Sequence, residues 1–462
     1  MNRQYVNSSF RDPSGYVFYE GRDIFRSVNN SYKDNYDLLL DTGLFQNLIE
    51  RKYIVKHKEI DFDKRNEDKI YKIIKPEIIP FISYPYEWSF SQLKDAAILT
   101  LNIQLLALEH NMILKDASAY NIQFKDYKPI FIDTLSFEKY EDGKPWQAYQ
   151  QFCQHFLSPL CLMNYTDIRL SQLLKLYIDG IPLDLTSKLL PFKSFFSFGI
   201  LSHLHLHAYF QNYYSNKKKD TNNIKQVSKK DIINICENLK NLIINLKWSP
   251  KGTEWFNYYT DNNNYEDETM TFKKEFVLNN TKKISPNLVW DLGSNTGKFS
   301  RISSELGFRT ISFDIDPACV ELNYLQMKRK SEKNLLPLQL DLTNPSAAIG
   351  WANNERSEIF KRNKPDLLLS LALMHHLVIT YNIPMSKISE LFSNLSANLI
   401  IEFVPKSDTQ VKKLLSTKKN KFEEYNQENF ERIFKKNFEI LSVKKVLKSE
   451  RVIYYMRRFE KI

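Results

Sequence analysis

Residues 288–300 read Leu-Val-Trp-Asp-Leu-Gly-Ser-Asn-Thr-Gly-Lys-Phe-Ser, and they set the fold expected for the C-terminal part of the chain. An apolar run ends in Asp291, and a Gly-x-x-x-Gly turn from Gly293 to Gly297 leads into an expected helix. A strand, a tight turn and a helix in this order hold a polar or anionic nucleoside ligand at the helix N-terminus. Gly293 allows the tight turn, Gly297 allows the helix to approach a ligand closely, and Asn295 tolerates a positive φ. The alternative is a purely structural turn, since small turns after strands are common.

Two further acidic positions follow expected strands downstream of this turn. The second strand ends in Asp314, which is followed by Asp316 and Pro317, and the third strand is followed by Asp341. A carboxylate at the end of the second strand, roughly twenty residues beyond the glycine turn, is suited to accept both ribose hydroxyl protons. Both Asp314 and Asp316 meet this description, and Asp316-Pro317 also matches the start of a helix.

Apolar strands and helices alternate from residue 286 onward, which predicts a doubly wound parallel sheet. The near-continuous apolar run 366–373 is typical of a central parallel strand. The last two strands are expected to form an antiparallel hairpin. The expected strands cover residues 288–291, 309–314, 336–340, 366–373, 398–405, 438–441 and 452–455.

These features, in this order, resemble class I methyltransferases that depend on S-adenosylmethionine (SAM). The resemblance covers residues 286–462 and implies a Rossmann-like, seven-stranded α/β domain that binds SAM. It implies that the methionine end of SAM lies over the glycine turn, that Asp314 binds the ribose, and that Asp341 contacts adenine beside Leu342. The candidate cofactor-binding residues are Asp291, Gly293, Asn295, Gly297, Asp314, Asp316, Asp341, Leu342 and Leu371.

The candidate catalytic residues follow the fourth and fifth strands. Ligands bind at the carboxyl ends of strands in such sheets, and His375 and His376 come directly after the fourth strand. A neutral imidazole near its ordinary pKa suits a general base, so each histidine is a candidate to remove a proton from the methyl acceptor. The alternative is that one histidine caps the strand and packs against the cofactor. Glu402 of the fifth strand is a third candidate at the same edge.

A second motif lies in the N-terminal half. Asp116 is followed by Asn121 and, after an expected hairpin of short strands, by Asp133. The pattern resembles the catalytic loop and metal-binding Asp of protein kinases and aminoglycoside phosphotransferases, in which the first Asp orients the attacking hydroxyl and the other two residues hold Mg²⁺. No glycine-rich loop precedes it, and Lys115 replaces the usual His or Gly. The motif therefore resembles the remnant of a kinase C-lobe, and the alternative is a set of polar residues that only stabilises a loop.

Motifs across the whole chain resemble NoeA-like bacterial methyltransferases. The segments that carry this resemblance are LKDASAYNIQF, FIDTLSFE, GWANNER, HHL and IEFVPKSD. The resemblance implies SAM-dependent transfer of a methyl group to an O or N atom, with a small molecule or a glycan as the favoured acceptor. It names no substrate.

Composition and charge bear on three further properties: nucleic-acid binding, membrane association and metal binding. The formal net charge is +11, but the lysines are scattered among Asn, Ile and Tyr residues, so a nucleic-acid acceptor is not favoured. The chain has no run of about eighteen apolar residues and no apolar N-terminal signal segment, which predicts a cytoplasmic protein without a membrane span. His203 and His207 share a helix face without an accompanying glutamate, and the four cysteines show no C-x-x-C pairing, so no metal site is expected.

The expected organisation has three parts. A mainly helical α+β domain, kinase-like and substrate-selecting, covers residues 1–215; a linker, a helix and a lid segment cover 216–285; and the SAM-binding methyltransferase domain covers 286–462. Three alternatives to this methyltransferase stay open: a phosphotransferase at the N-terminal motif, a non-catalytic SAM-binding interaction protein, and an RNA methyltransferase. The sequence does not determine the acceptor or the oligomeric state.

Overall fold

The structure is a computed structural model that describes residues 3–62, 68–209, 226–250, 267–416 and 422–460. The chain divides into two compact units. The N-terminal unit comprises Met1–Ser249 and Ala348–Ser357, and the C-terminal unit comprises Pro250–Ala347 and Glu358–Ile462. These divisions differ from the expected boundaries near residues 215 and 285. Most of the expected lid segment and of the expected linker lies outside the described residues.

An antiparallel sheet of five strands begins the N-terminal unit, in the order β1-β2-β3-β5-β4. Its strands are β1 (Gln4–Tyr5), β2 (Val17–Glu20), β3 (Asp23–Asn29), β4 (His57–Ile60) and β5 (Ile70–Pro76). Two antiparallel pairs follow, β6 (Met112–Leu114) with β9 (Phe137–Lys139) and β7 (Ile122–Lys125) with β8 (Lys128–Phe131). The β7–β8 hairpin was expected from the sequence. Most of the five-stranded sheet was not, because its strands lack a clean alternation of buried and exposed residues.

The longest helix of the N-terminal unit is buried along much of its length. It begins with a capping box, in which the Ser89 side chain accepts the Gln92 N–H and the Gln92 side chain accepts the Ser89 N–H. The last helix has Ser228 as its N-cap, as predicted, and packs on the longest one. The helices are α1 (Lys33–Asp41), α2 (Leu44–Glu50), α3 (Phe90–Glu109), α4 (Tyr149–Phe152), α5 (Ser158–Tyr165), α6 (Leu173–Leu176), α7 (Leu183–Leu189), α8 (Phe198–Ile200) and α9 (Lys229–Asn245).

The C-terminal unit contains a seven-stranded sheet. Its strands are β10 (Leu288–Leu292), β11 (Arg309–Asp314), β12 (Leu335–Gln339), β13 (Leu367–Ser370), β14 (Asn398–Phe403), β15 (Phe438–Lys445) and β16 (Val452–Arg458). The strand order is β12-β11-β10-β13-β14-β16-β15. The first five strands pair in parallel and β16 pairs antiparallel to both neighbours, which confirms the predicted class I methyltransferase fold.

Helices precede β10 and lie between several of the successive strands, whereas only short 3-10 turns lie between β12 and β13. The helices are α10 (Asp267–Ile284), α11 (Ser300–Glu305), α12 (Pro317–Lys330), α13 (Met385–Leu395), α14 (Thr409–Ser416) and α15 (Gln427–Phe434). Residues of β13 are fully buried, as a central parallel strand requires. In the described parts of the chain, no helix is both long and apolar enough to cross a membrane.

Two predicted boundaries beside the glycine turn were wrong. The helix after the turn begins at Ser300 rather than near Gly297, because residues 295–299 form turns first. The fourth strand ends at Ser370 rather than at residue 373, because Ala372 has a φ of 51° and turns the chain. Both differences lengthen the loops at the carboxyl edge of the sheet, where ligands bind in this class of fold.

Candidate functional site

A cavity lies at the carboxyl edge of the parallel strands, entirely within the C-terminal unit. The turn after β10, the ends of β11 and β12, the segment after β13 and helix α10 all contribute to it. The predicted cofactor residues that line the cavity are Asp291, Gly293, Asn295, Asp314, Asp341, Leu342 and Leu371. Seven residues separated by up to eighty positions in the sequence are thus brought together around one space.

The glycine turn and the second-strand acid are joined directly. Asp314 accepts hydrogen bonds from the backbone N–H of Asn295 (2.6 Å) and of Asp316 (2.8 Å). Gly293 and Asn295 have φ values of 69° and 52°, so the turn uses the left-handed backbone region that these residue types tolerate. A Cβ at Gly293 would lie 3.1 Å from Leu373 Cδ1, and Leu373 also lines the cavity. A side chain at position 293 would therefore be disfavoured both by the backbone conformation and by contact with Leu373.

Gly297 and Asp316 have positions different from those expected for cofactor contacts. A Cβ at Gly297 would lie 2.6 Å from Asn323 Nδ2 and 2.8 Å from an Arg301 nitrogen, so this glycine makes room for buried side chains and does not line the cavity. The Asp316 side chain accepts the N–H of Ala318 (2.8 Å) and caps helix α12. These contacts leave Asp314 as the second-strand acid that faces the cavity.

Asp291 lines the cavity and is hydrogen-bonded to a chain of buried serine hydroxyl groups. The Ser300 hydroxyl donates to Asp291 Oδ2 (2.5 Å), and the hydroxyl groups of Ser300, Ser312 and Ser294 follow one another at 2.9 and 2.7 Å. Burial raises the pKa of Asp291 to about 7, and the nearby charge of Asp314 adds to the increase. Burial likewise raises the pKa of Asp314 to about 6. The cavity therefore contains two carboxyl groups whose charged forms are poorly solvated.

Replacing Asp291 with Asn should make the ligand-free protein less sensitive to rising pH. The folded protein retains the Asp291 proton between pH 3.8 and about 7, where the unfolded chain has released it. The wild type therefore loses stability as the pH rises through this window, on the order of a few kcal/mol in total. Asp291→Asn retains an acceptor for Ser300 and has no charge to bury. In thermal melts, the midpoint of the variant minus that of the wild type should increase from pH 4 to 7 and stay constant above pH 7. A difference that does not depend on pH would contradict this account.

The segment after β13 brings His376, but not His375, to the cavity. His376 lines the cavity, and burial lowers its pKa to about 4, with the positive charge of Arg451 contributing. His375 is 2% exposed, and burial followed by the charge on His376 lowers its pKa well below the ordinary value. Its Nδ1 has no hydrogen-bond partner among the described residues. Both imidazoles are therefore neutral near pH 7, and only His376 can meet a ligand.

Glu402 does not reach the cavity edge at which the sequence placed it. Its carboxylate is fully buried, and Oε2 lies 2.7 Å from the equally buried Nζ of Lys273. Arg451 approaches the other oxygen at 3.8 Å. Lys273 itself lines the cavity, and its Nζ is 5.2 Å from the centre of the Phe299 ring. Sequence reasoning missed Lys273 because it is one lysine of a lysine-rich helix, and nothing in the local pattern distinguishes it.

The three residues of the N-terminal motif do come together. Burial raises the pKa of Asp116, as does the charge of Asp133, while Asn121 hydrogen-bonds to the Asp116 carboxylate. Asp133 is held by other groups: Arg26 Nη1 lies 2.8 Å from Oδ1, and the Ser136 hydroxyl donates to Oδ2 (2.7 Å). A guanidinium group thus balances the charge that Mg²⁺ would balance in a phosphotransferase.

The histidines at positions 203 and 207 interact with an aromatic side chain. Tyr149 Oη is 2.7 Å from His203 Nδ1, and the Tyr149 ring stacks on His207 with ring centres 5.1 Å apart. Burial lowers the pKa of His203 to about 4. Across the described ranges, no group of three His, Cys, Asp or Glu residues has a geometry that could hold a metal ion.

One curated protein resembles the chain along nearly its whole length. Nodulation protein NoeA of Rhizobium meliloti (strain 1021) is 31% identical over 461 residues, a match that covers 98% of this chain and 96% of NoeA. The chain belongs to the NoeA family. The match extends through both compact units of this chain. No family model matches the chain.

Solved structures match only part of this NoeA-family chain. Magnesium protoporphyrin IX methyltransferase (ChlM) from Synechocystis PCC 6803, determined with bound SAH, is 16% identical and has a TM-score of 0.30; the match covers 42% of this chain and 86% of ChlM. A SAM-dependent methyltransferase from Aquifex aeolicus is 16% identical with a TM-score of 0.32, covering 46% and 100%. The bifunctional kinase-methyltransferase WbdD is 12% identical with a TM-score of 0.30, covering 48% and 46%. None of these likenesses carries an argument about activity.

Proposed function

We propose that this NoeA-family protein is a SAM-dependent methyltransferase that modifies an O or N atom of a small molecule or a glycan. The observation that carries the proposal is the cavity at the carboxyl edge of the seven-stranded sheet. Gly293, Asp291, Asp314 and Asp341 line this cavity together, in the order along the chain that the class I fold uses for its cofactor. The seven-stranded fold supports the same conclusion.

The residues of the cavity fit SAM chemically. Burial has raised the pKa of both Asp291 and Asp314, so a ligand that brings hydroxyl donors and a positive charge would stabilise their ionised forms. Asp314 would accept the ribose hydroxyl groups, while Asp341 and Leu342 would contact the adenine. The turn at Gly293 would lie against the methionine part. SAM supplies a methyl group already activated on a sulfonium ion, so the protein mainly aligns the reactants.

His376 is the residue that we propose as the proton acceptor. It lines the cavity at the end of β13 and is neutral at pH 7, because burial lowers its pKa to about 4. The proposal leaves no direct role for His375 or Glu402. His375 is buried and does not line the cavity, and Glu402 is paired with Lys273. Both act by holding the structure around the site.

Replacing His376 with Gln should lower kcat by about 10²-fold or more, which is the range of general-base catalysis. Since its pKa is about 4, the histidine is already deprotonated at pH 6 to 8. At saturating SAM, which would hold Asp291 and Asp314 ionised, the rate of labelled methyl transfer should therefore be level over that range and fall only towards pH 4. The fall should disappear in His376→Gln. His375→Gln is the control and should leave the pH profile unchanged. An acid limb near pH 6.5, or one that persists without His376, would refute this assignment.

Calorimetric titration of the full chain with SAM tests the function itself. Saturable binding of SAM, followed by transfer of labelled methyl groups to extracts of small molecules or glycans, is the expected result. Heat from ATP with Mg²⁺ and none from SAM would instead favour a phosphotransferase at Asp116, Asn121 and Asp133. SAM binding without transfer to any acceptor would favour an interaction protein. Transfer to RNA, with binding that weakens steeply as salt rises, would favour an RNA methyltransferase.

The ion pair between Arg26 and Asp133 is the reason why we rank phosphoryl transfer second. Magnesium ions could bind Asp133 only after displacing a guanidinium group that also pairs with Asp12 at 2.6 Å. The kinase-like character of the N-terminal unit and the cytoplasmic location stay predictions.

A further inference from the structure

A groove lies within the N-terminal unit. Its lining includes Tyr5, Phe10 and Tyr16 from the beginning of the chain and Trp351 from the segment 348–357. The groove encloses about 590 Å³, which falls in the range of roughly 300–1,000 Å³ typical of small-ligand pockets. It is large enough for a ligand of several rings.

Aromatic side chains in the groove are unusually open to solvent. Trp351 is 72% exposed, Phe10 58% and Tyr5 57%. Tyr5 is supported from behind by Tyr16, whose ring meets it edge-on with centres 5.1 Å apart. Exposed rings gathered in one place mark a binding surface, because leaving so much apolar area in water is unfavourable.

The polar atoms of the groove are uncharged. Asn7, Ser9 and Asn354 supply amide and hydroxyl groups, and no Asp, Glu, Lys or Arg is among the described residues that line it. Arg11 stands next to this surface, but its guanidinium is bound by Glu355 at 2.7 Å. The groove therefore matches a neutral ligand that offers both apolar faces and several hydroxyl groups. A nucleotide or an RNA would bring phosphates that this lining does not neutralise.

The segment that presents Trp351 is held firmly. Ile349 and Arg356 form an antiparallel bridge, and the Arg356 guanidinium lies 4.1 Å from the centre of the Tyr120 ring. Ala352 has a φ of 51°, a conformation that costs about 1–2 kcal/mol for a residue with a side chain. Such strain persists only when the surrounding contacts enforce it. The tryptophan is thus displayed at a fixed position.

We infer that this groove binds a saccharide, with the Trp351 and Phe10 rings stacked on the C–H faces of pyranose rings and Asn7, Ser9 and Asn354 bonded to hydroxyl groups. The negative face of an aromatic ring attracts the weakly positive C–H bonds on one side of a sugar. The inference rests on the proposed methyltransferase function and deepens it by naming carbohydrate as the acceptor class.

An array of immobilised saccharides, both neutral and anionic, tests the inference with the full-length protein. The expected result is retention on a subset of neutral saccharides, with apparent affinity at least tenfold lower for Trp351→Ala. Phe196→Ala is the matched control: this ring is 79% exposed in the same unit but does not line the groove, and its loss should not change retention. Because both side chains are exposed, neither substitution removes core packing.

Three results would overturn the inference: no retention on neutral saccharides, equal retention by wild type and Trp351→Ala, or an equal loss in Phe196→Ala. Titration of the same protein samples with SAM separates the two proposals. Saccharide retention without SAM binding would reject the methyltransferase and the acceptor role while leaving a carbohydrate site. SAM binding without saccharide retention would reject the groove alone.

Discussion

Gly293→Arg should reduce the affinity for SAM by at least about 100-fold, which corresponds to about 2.7 kcal/mol. Gly293 lines the cavity with a φ of 69°, and an added Cβ would already lie 3.1 Å from Leu373 Cδ1. The remainder of an arginine side chain would therefore project into the space proposed for the methionine part of SAM. Its positive charge would also oppose a sulfonium ion. Isothermal titration calorimetry measures the loss directly.

Gly307→Arg is the matched control for this substitution. Gly307 also has a positive φ, 92°, but a Cβ there would meet no described atom within 4 Å, and the residue does not line the cavity. The Gly307→Arg substitution introduces the same side chain and a similar backbone strain, about 1–2 kcal/mol, at a position that does not line the cavity. We expect its SAM affinity to stay within threefold of wild type. Equal losses in both variants would show that strain, not the cavity, explains the effect.

Lys273→Met should lower the thermal midpoint by about 6–20 °C. Lys273 and Glu402 are 1% and 0% exposed and lie 2.7 Å apart, so removal of the lysine leaves a buried carboxylate with poorer compensation. Breaking a buried ion pair costs about 3–5 kcal/mol, and each kcal/mol corresponds to roughly 2–4 °C in a unit of this size. The exposed pair Lys387–Glu390 is the control, and Lys387→Met should shift the midpoint by only a few degrees.

The double variant Lys273→Met with Glu402→Leu should recover most of this loss. Two apolar side chains of similar volume need no desolvated charge, and replacing a whole buried pair is often neutral. Arg451 would keep an anionic partner, since its Nε lies 2.8 Å from Asp408 Oδ2. A double variant as unstable as Lys273→Met would mean that the pair does more than balance charge. Unchanged SAM binding in the recovered variant would show that Lys273 is not needed by the ligand.

Much of the sheet could be predicted because each strand carries a local signal. The strands β10, β11, β12 and β14 occur within two residues of the expected positions, since apolar runs bounded by Gly, Pro, Asp or Asn are typical of parallel strands. The acids after β11 and β12 both line the cavity, because in this fold the end of a strand is also at the edge where ligands bind; their contacts with a cofactor stay a prediction.

Local patterns were less informative where long-range contacts decide a residue's environment. His375 and His376 are adjacent in sequence, and only the helical turn after Ala372 determines that one faces the cavity and the other faces the core. Spacing alone made Asp314 and Asp316 equally suitable as the ribose-binding acid, whereas in the structure Asp316 caps α12. In each case a side chain's role depends on its direction, which sequence spacing does not report.

The sequence by itself indicated where most strands of the C-terminal sheet occur along the chain and where the glycine turn lies. These features depend on hydrophobic period and turn chemistry, which act over a few neighbouring residues. Only the tertiary structure decided that Lys273 pairs with Glu402 across 129 positions, that Arg26 neutralises Asp133, and that Trp351 joins the first strand of the chain around a groove. In each of these sites, the packing of segments distant in sequence brings the side chains together. Such packing produces no periodic pattern in a single sequence.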